Sequence, residues 1–225
     1  MNDLHTLVPI AMGMLLSPLP IVAVVAIVLA PRGRASAPVY TLTFTFVSAV
    51  IIAVGALGAS SAANASSDPD SRVVSLVLAV LLAIGFGIFA IVSWHGRPPA
   101  GQPAVAPKWL AAIDGVTPAS AAGLGFAMAA ANSKNIPLGL KAGSVIGEAH
   151  LALPLAVLLI LVVAVAGSLL LILPGLIALS SSPRVHSALV ALKSQLVEHN
   201  AAMMTVLFAI LAANEAAQVI QRLLS

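Results

Sequence analysis

The sequence predicts an all-α integral membrane protein: six transmembrane helices arranged as two inverted three-helix repeats, with the first helix of each repeat broken. Three observations lead there. Hydrophobic residues make up 60% of the 225 and charged residues only 8%, too few to wet the surface of a soluble domain of this size. The apolar residues gather into six runs, each long enough to cross roughly 30 Å of hydrocarbon at about 20 residues per crossing. The first and fourth runs are interrupted by prolines and polar residues at similar depth.

The runs lie at residues 6–30, 38–61, 73–94, 118–146, 151–179 and 201–222. Residues 1–94 then form the first three-helix repeat, 95–117 a proline-rich cytoplasmic linker, and 118–225 the second repeat. The first run is read as a retained helix rather than a signal peptide. Met1-Asn2-Asp3-Leu4-His5 carries no basic segment ahead of it, and Arg32 and Arg34 follow it. With the amino terminus outside, Arg32, Arg34, Arg97, Lys108, Arg184 and Lys193 fall on the inner side and only Arg72 and Arg222 on the outer. The positive-inside rule thus favours a multi-pass plasma-membrane protein with both termini outside, and Tyr40, Trp94 and Trp109 are expected at the inner interface.

Two connections carry more detail. A tight turn is expected at Glu148-Ala149-His150. Near residues 184–199, Val185, Leu189, Leu192 and Leu196 recur at helical spacing opposite Arg184, Lys193, Gln195 and Glu198, which marks a short cytoplasmic helix, either interfacial or packed beneath the bundle.

Aligning Ala11-Met12 with Ala127-Met128 sets Ser17-Pro18-Leu19-Pro20-Ile21 against Ser133-Lys134-Asn135-Ile136-Pro137. A three-helix unit repeated in tandem enters the membrane the second time from the other face, so the two breaks approach one depth from opposite sides. Thr117 and Pro118 open the fourth run as N-cap and first-turn proline. Each interrupting proline removes a donor and frees the carbonyl four residues earlier: Met14 for Pro18, Leu16 for Pro20, Ser133 for Pro137. Such backbone is tolerated at membrane depth only where protein or a water-filled cavity covers it, so a shared central cavity is expected.

Asn132-Ser133-Lys134-Asn135 is the costliest stretch, because a lysine at a helix centre costs roughly 3 kcal/mol on insertion scales. Lys134, Lys141 and Glu148, spaced by seven, share a helix face. A cationic track suits an anionic group, and the expected binding residues are Ser17, Pro18, Pro20, Asn132, Ser133, Lys134, Asn135 and Lys141. Glu215 is the only acidic side chain well inside a run. It is either a proton-carrying carboxylate or a counter-ion for Lys134, and the lack of a relay partner favours the ion pair. Thr41, Thr43, Thr45 and Ser48 either line the same cavity or bond their own backbone or a neighbouring helix, the latter being the commoner use. Gly55 and Gly58, Gly85 and Gly87, and Gly167-Ser168 are expected at close helix contacts.

The basic residues form no patch, which argues against nucleic acid despite a formal charge of +3. There is no cysteine, no HExxH, no GxSxG and no carboxylate cluster at metal-ligand spacing, so no enzyme, cofactor or metal site is expected.

Three motifs in order, Ser17-Pro18-Leu19-Pro20 ahead of Pro31-Arg32-Gly33-Arg34, Pro107-Lys108-Trp109 through Asp114 to Thr117-Pro118, and Asn132-Ser133-Lys134-Asn135, resemble the peptidoglycolipid-addressing (GAP) family, also called sulfolipid-addressing proteins, of the lysine-exporter superfamily. The family pattern reads Asn-Pro-Lys-Asn, so with Ser133 in place of that proline, Pro137 is expected to take part of its role. The resemblance implies movement of large glycolipids or related cell-envelope lipids outward. The leading expectation is a transporter or flippase-like exporter with membrane lipids or glycolipid as cargo. An amino-acid or ion exporter, or a non-transporting scaffold of a lipid-export complex, stands beside it. Association with lipid-export or biosynthesis machinery and a homo-oligomeric state are left open.

Overall fold

Prolines, glycines and polar residues set the helix ends, and the apolar runs fill the helices between them. The computed structural model describes residues 3–65, 69–98, 110, 113, 115–132, 134–177 and 183–224. Ser133, Pro107, Lys108, Trp109 and Asp114, and the side chains of Arg72 and Arg222, lie outside the described residues. A 3-10 turn, Asp3–Thr6, leads into α1 (Leu7–Leu15), α2 (Pro18–Leu29), α3 (Gly33–Ala65), α4 (Pro69–His95), α5 (Pro118–Ala130), α6 (Asn135–Glu148), α7 (Leu153–Ile177) and α8 (Pro183–Leu224).

Among the described residues, three helices are long and apolar enough to cross a membrane: Gly33–Ala59, Leu153–Leu176 and Pro183–Gln221. The bent pair Leu4–Leu15 and Pro18–Leu29, which meets at 54°, counts as a fourth if taken as one broken span. Only 28% of the Leu153–Leu176 window is buried, and Leu42, Phe46, Leu57, Leu81, Leu153 and Ile210 are exposed. Apolar surface on that scale is what a multi-pass α-helical membrane protein turns toward lipid.

The short helix expected near 184–199 and the sixth apolar run are one continuous helix, α8, of 42 residues. After Pro183 it contains neither glycine nor proline, so nothing breaks it. At 1.5 Å per residue it is about 63 Å long, twice the hydrocarbon thickness. Lys193, Gln195, Glu198 and His199 lie in its first half, and the excess length falls there.

The core divides at the level of the two breaks. One cluster joins α2 and α5 with Tyr40 and Phe44 of α3, Leu171 of α7 and Leu189 and Leu196 of α8. The other joins α1 and α6 with Ile52 of α3, Phe86 of α4, Val163 of α7 and Phe208 of α8. α3 packs along both α5 and α6 and crosses α7, while α4 packs along α8.

Glycine explains the close seam between α3 and α6. Gly139, Gly143 and Gly147 recur every four residues on α6, and a Cβ on Gly143 would stand 2.0 Å from the Ile52 carbonyl oxygen and one on Gly147 2.3 Å from that of Ala56. Across the seam, a Cβ on Gly55 would reach the Leu140 carbonyl oxygen at 2.4 Å. Gly55 and Gly167 therefore sit at tight contacts, whereas Gly58, Gly85 and Gly87 face open space among the described residues. For those three the close-packing expectation is corrected: they lie off the helix seams.

Tyr40 is also corrected. It is fully buried rather than at an interface, stacked on Phe44, with its hydroxyl donating to the Pro20 carbonyl at 3.1 Å. Trp94 is half exposed, and the Arg97 guanidinium lies 3.6 Å over its ring. The turn at Glu148-Ala149-His150 is present, and His150 closes it with φ at 48°.

Candidate functional site

The first break is built by Leu16 and Ser17, between α1 and α2. Pro18 and Pro20 lack the N–H that would close the helix onto Met14 and Leu16. The Ser17 N–H turns instead to the Leu15 carbonyl at 2.9 Å, which leaves the Gly13 carbonyl without its usual donor as well. The Ser17 hydroxyl donates to the Met14 carbonyl at 2.8 Å. Thus α1 ends with the Gly13 carbonyl lacking a helical donor and the Met14 carbonyl met by the Ser17 hydroxyl alone within the break, both at the negative end of its dipole.

The second break lies between α5 and α6. Thr117 caps α5 as expected, in a reciprocal capping box with Ser120 and with Pro118 in the first turn. The helix stops at Ala130 and α6 begins at Asn135, with Lys134 at its N-cap. The Asn132 side-chain oxygen accepts from the Lys134 backbone N–H at 3.4 Å. Pro137 occupies the first turn of α6, where a missing N–H leaves no bond unmade, so it starts that helix rather than kinking it.

The two breaks meet through Lys134. Its side chain is fully buried, and Nζ donates to the Gly13 carbonyl at 2.5 Å, the Met14 carbonyl at 3.3 Å and Asn135 Oδ1 at 3.3 Å. An ammonium has three protons, and three oxygens receive them. All three are neutral, and no carboxylate pairs with Lys134 among the described residues. The group is satisfied in hydrogen bonds and unsatisfied in charge. Asn135 is equally buried, and its Nδ2 has no partner among the described residues.

A cavity of about 150 Å³ opens beside this junction, lined by Ser17, Pro18, Leu19 and Pro20 from the first break and by Ala131, Asn132 and Lys134 from the second. Ala127 and Met128 of α5 and Met204 of α8 complete its wall. Of the residues expected to bind together, Ser17, Pro18, Pro20, Asn132 and Lys134 share this lining, and Asn135 is buried next to it. Lys141 is not there: its ammonium pairs with the Glu215 carboxylate and donates to Gln218 Oε1 at 3.0 Å. Glu215, expected as a counter-ion for Lys134, is therefore the counter-ion of Lys141, two turns further along α6 and against α8. Thr41, Thr43, Thr45 and Ser48 are absent from the lining. Thr41 reaches the Leu171 carbonyl of α7 at 3.5 Å, and the Thr45 and Ser48 hydroxyls are buried without partners among the described residues.

Sequence reasoning missed Gly13 as an acceptor, Met128 and Met204 as walls, and Tyr40 as the tie between α3 and α2. The four-residue spacing of Gly139, Gly143 and Gly147 was a readable signal of close packing on α6. Methionines in an apolar helix carry no such signal.

Fold and site define an α-helical membrane protein with a broken helix whose terminal carbonyls are met by a buried lysine at the wall of a small cavity. The chain belongs to the Sap, sulfolipid-1-addressing protein family, whose family model matches residues 7–221. No curated protein and no solved structure matches it.

Proposed function

We propose that the chain is a flippase-like exporter that moves an anionic envelope glycolipid, of the sulfolipid class in the family's name, across the plasma membrane. The observation that carries this reading is the buried Lys134 side chain, paired with no described carboxylate, at the wall of a cavity between two helix breaks. An uncompensated buried charge is strongly destabilising, so a site that keeps one has a use for an anion. A sulfate or other acidic head group would meet the Lys134 charge and the Asn132 amide. The cavity is below the roughly 300 Å³ at which pockets begin to enclose whole drug-sized ligands, so it suits a head-group fragment, with acyl chains left in the lipid.

Six spans in two inverted triplets is the architecture this mechanism needs, and the packing supports it. α1 pairs with α6 in one half and α2 with α5 in the other, while α3 crosses α7 and α4 lies along α8. Such a pairing follows if the first triplet, α1 to α4, and the second, α5 to α8, are related by an axis in the membrane plane, and rocking of one triplet against the other would alternate access. Both termini outside is the orientation that the arginine and lysine distribution favours. There is no nucleotide-binding motif, so an ion gradient, the cargo gradient or a partner supplies the energy.

The test is transport of a sulfated glycolipid by the purified protein in vesicles, with a zwitterionic glycolipid as control. Loss of one charge contact corresponds to about tenfold or more, so Lys134→Met is expected to slow the sulfated cargo by at least that factor. A rate equal to wild type, with the variant folded, would remove the head-group role. An amino-acid or ion exporter is the second reading, favoured by the cavity's small volume. A lateral opening between helices wide enough for an acyl chain would decide against it.

A further inference from the structure

The partners of Lys134 form a cage of a particular kind. Gly13 and Met14 offer backbone carbonyls at the C-terminal end of a half-helix, and Asn135 offers a side-chain amide oxygen from the first turn of another. Unwound carbonyls and half-helix C-termini are the groups that hold monovalent cations in broken-helix membrane proteins. The cage contains no carboxylate, whereas calcium and magnesium sites in proteins are built largely on carboxylates. It is not a surface accident, because Lys134 and Asn135 are both almost wholly buried and the oxygens come from two helices far apart in sequence.

We propose that Gly13 O, Met14 O and Asn135 Oδ1 form a monovalent-cation site that the chain fills with its own tethered ammonium. The cation bridges the end of α1 to the start of α6. Because it is covalently attached, the wild-type protein needs no free sodium or potassium to hold that bridge. Removing the side chain converts the cage into a site for a free cation. Ammonium and methylammonium rank first, because they reproduce the charge and the N–H donors, and potassium follows.

The experiment is thermal unfolding of the full-length chain in detergent micelles, with chlorides of ammonium, methylammonium, potassium, sodium and choline at matched ionic strength. Lys134→Ala is expected to melt below wild type and to regain about 5 °C or more, saturably, in ammonium or methylammonium but not in choline. Wild type is expected to be indifferent to the choice among these cations. A companion, the double variant Lys134→Ala with Asn135→Asp, places a carboxylate in the cage and should reach half its stabilisation at lower ammonium concentration. If either variant folds only when prepared in ammonium, that dependence supports the proposal. Equal stability or equal yield in choline and ammonium for both variants overturns it. The readout is stability, so the proposal survives or falls separately from the transport reading.

Discussion

Adding a single methyl group at Gly143 and at Gly58 should have opposite effects on stability, although both lie on the same pair of neighbouring helices, α6 and α3. At Gly143 the new Cβ would stand 2.0 Å from the Ile52 carbonyl oxygen, 2.6 Å from the Ala56 nitrogen and 2.8 Å from Gly55 Cα. All three are backbone atoms, so no side chain can swing away. Relief requires α6 and α3 to part by about 1.4 Å to reach ordinary contact. A gap of 0.5–1 Å already forfeits a quarter to a half of each dispersion contact along the seam. In lipid no hydrophobic force compensates, because acyl chains are as apolar as the side chains they would replace. The expected cost of Gly143→Ala is about 2–3 kcal/mol, the range of core overpacking. At Gly58 nothing described lies within 4 Å of the new atom, and Gly58→Ala should be neutral or stabilise by up to about 1 kcal/mol through helix propensity. Reversible unfolding in bicelles or mixed micelles measures both. Two equal effects, or a neutral Gly143→Ala, would refute the packing argument.

The ion pair between α6 and α8 gives a second test. Glu215→Gln is expected to cost about 2–3 kcal/mol, because the Lys141 ammonium keeps its charge beside a neutral amide, and the double change Lys141→Met with Glu215→Leu should recover most of that. If the double variant is stable yet transports nothing, Glu215 carries a proton or positions the cargo; if it transports normally, the pair is structural. Tyr40→Phe removes the donor to the Pro20 carbonyl and leaves the ring stacked on Phe44, so it should cost about 1 kcal/mol in the same unfolding assay, and no cost would mean that the α3–α2 tie carries no stability.

The breaks were legible because they are written in one dimension. Proline at 18 and 20, and polar residues at 132 to 135, cannot continue an apolar helix wherever the rest of the chain lies. The partners were not legible, because they depend on how helices cross. Lys134 and Lys141 differ by seven residues and share a face of one helix in the sequence pattern, so sequence alone cannot say which of them faces Glu215; the course of α8 past the middle of α6 decides it. Tyr40 looked like an interface aromatic because it sits near a charged loop, but the backbone at the first break offers it an acceptor from inside. The family pattern's proline at 133 is replaced by serine, and the break persists, since Asn132 bonds the backbone of Lys134 and α6 starts afresh at Asn135.

That persistence bears on what holds the centre together. A proline enforces a break by what it lacks, whereas here the end of α1 is completed by what Lys134 supplies: two protons to carbonyls that its own helix cannot satisfy. Hydrogen bonding to neutral oxygens lowers the cost of burying the ammonium without cancelling its charge, as a carboxylate would. An anion arriving in the cavity therefore finds an attractive field but must compete for protons already donated to α1. If it wins even one of them, it loosens the joint between α1 and α6, the two half-helices that the proposed rocking motion has to separate. A variant that supplies a permanent anion, Met128→Glu in the cavity wall, should then weaken this joint. The measurement is the exchange of amide protons in α1, expected to quicken, and exchange as slow as in wild type would show that the joint does not respond to charge in the cavity.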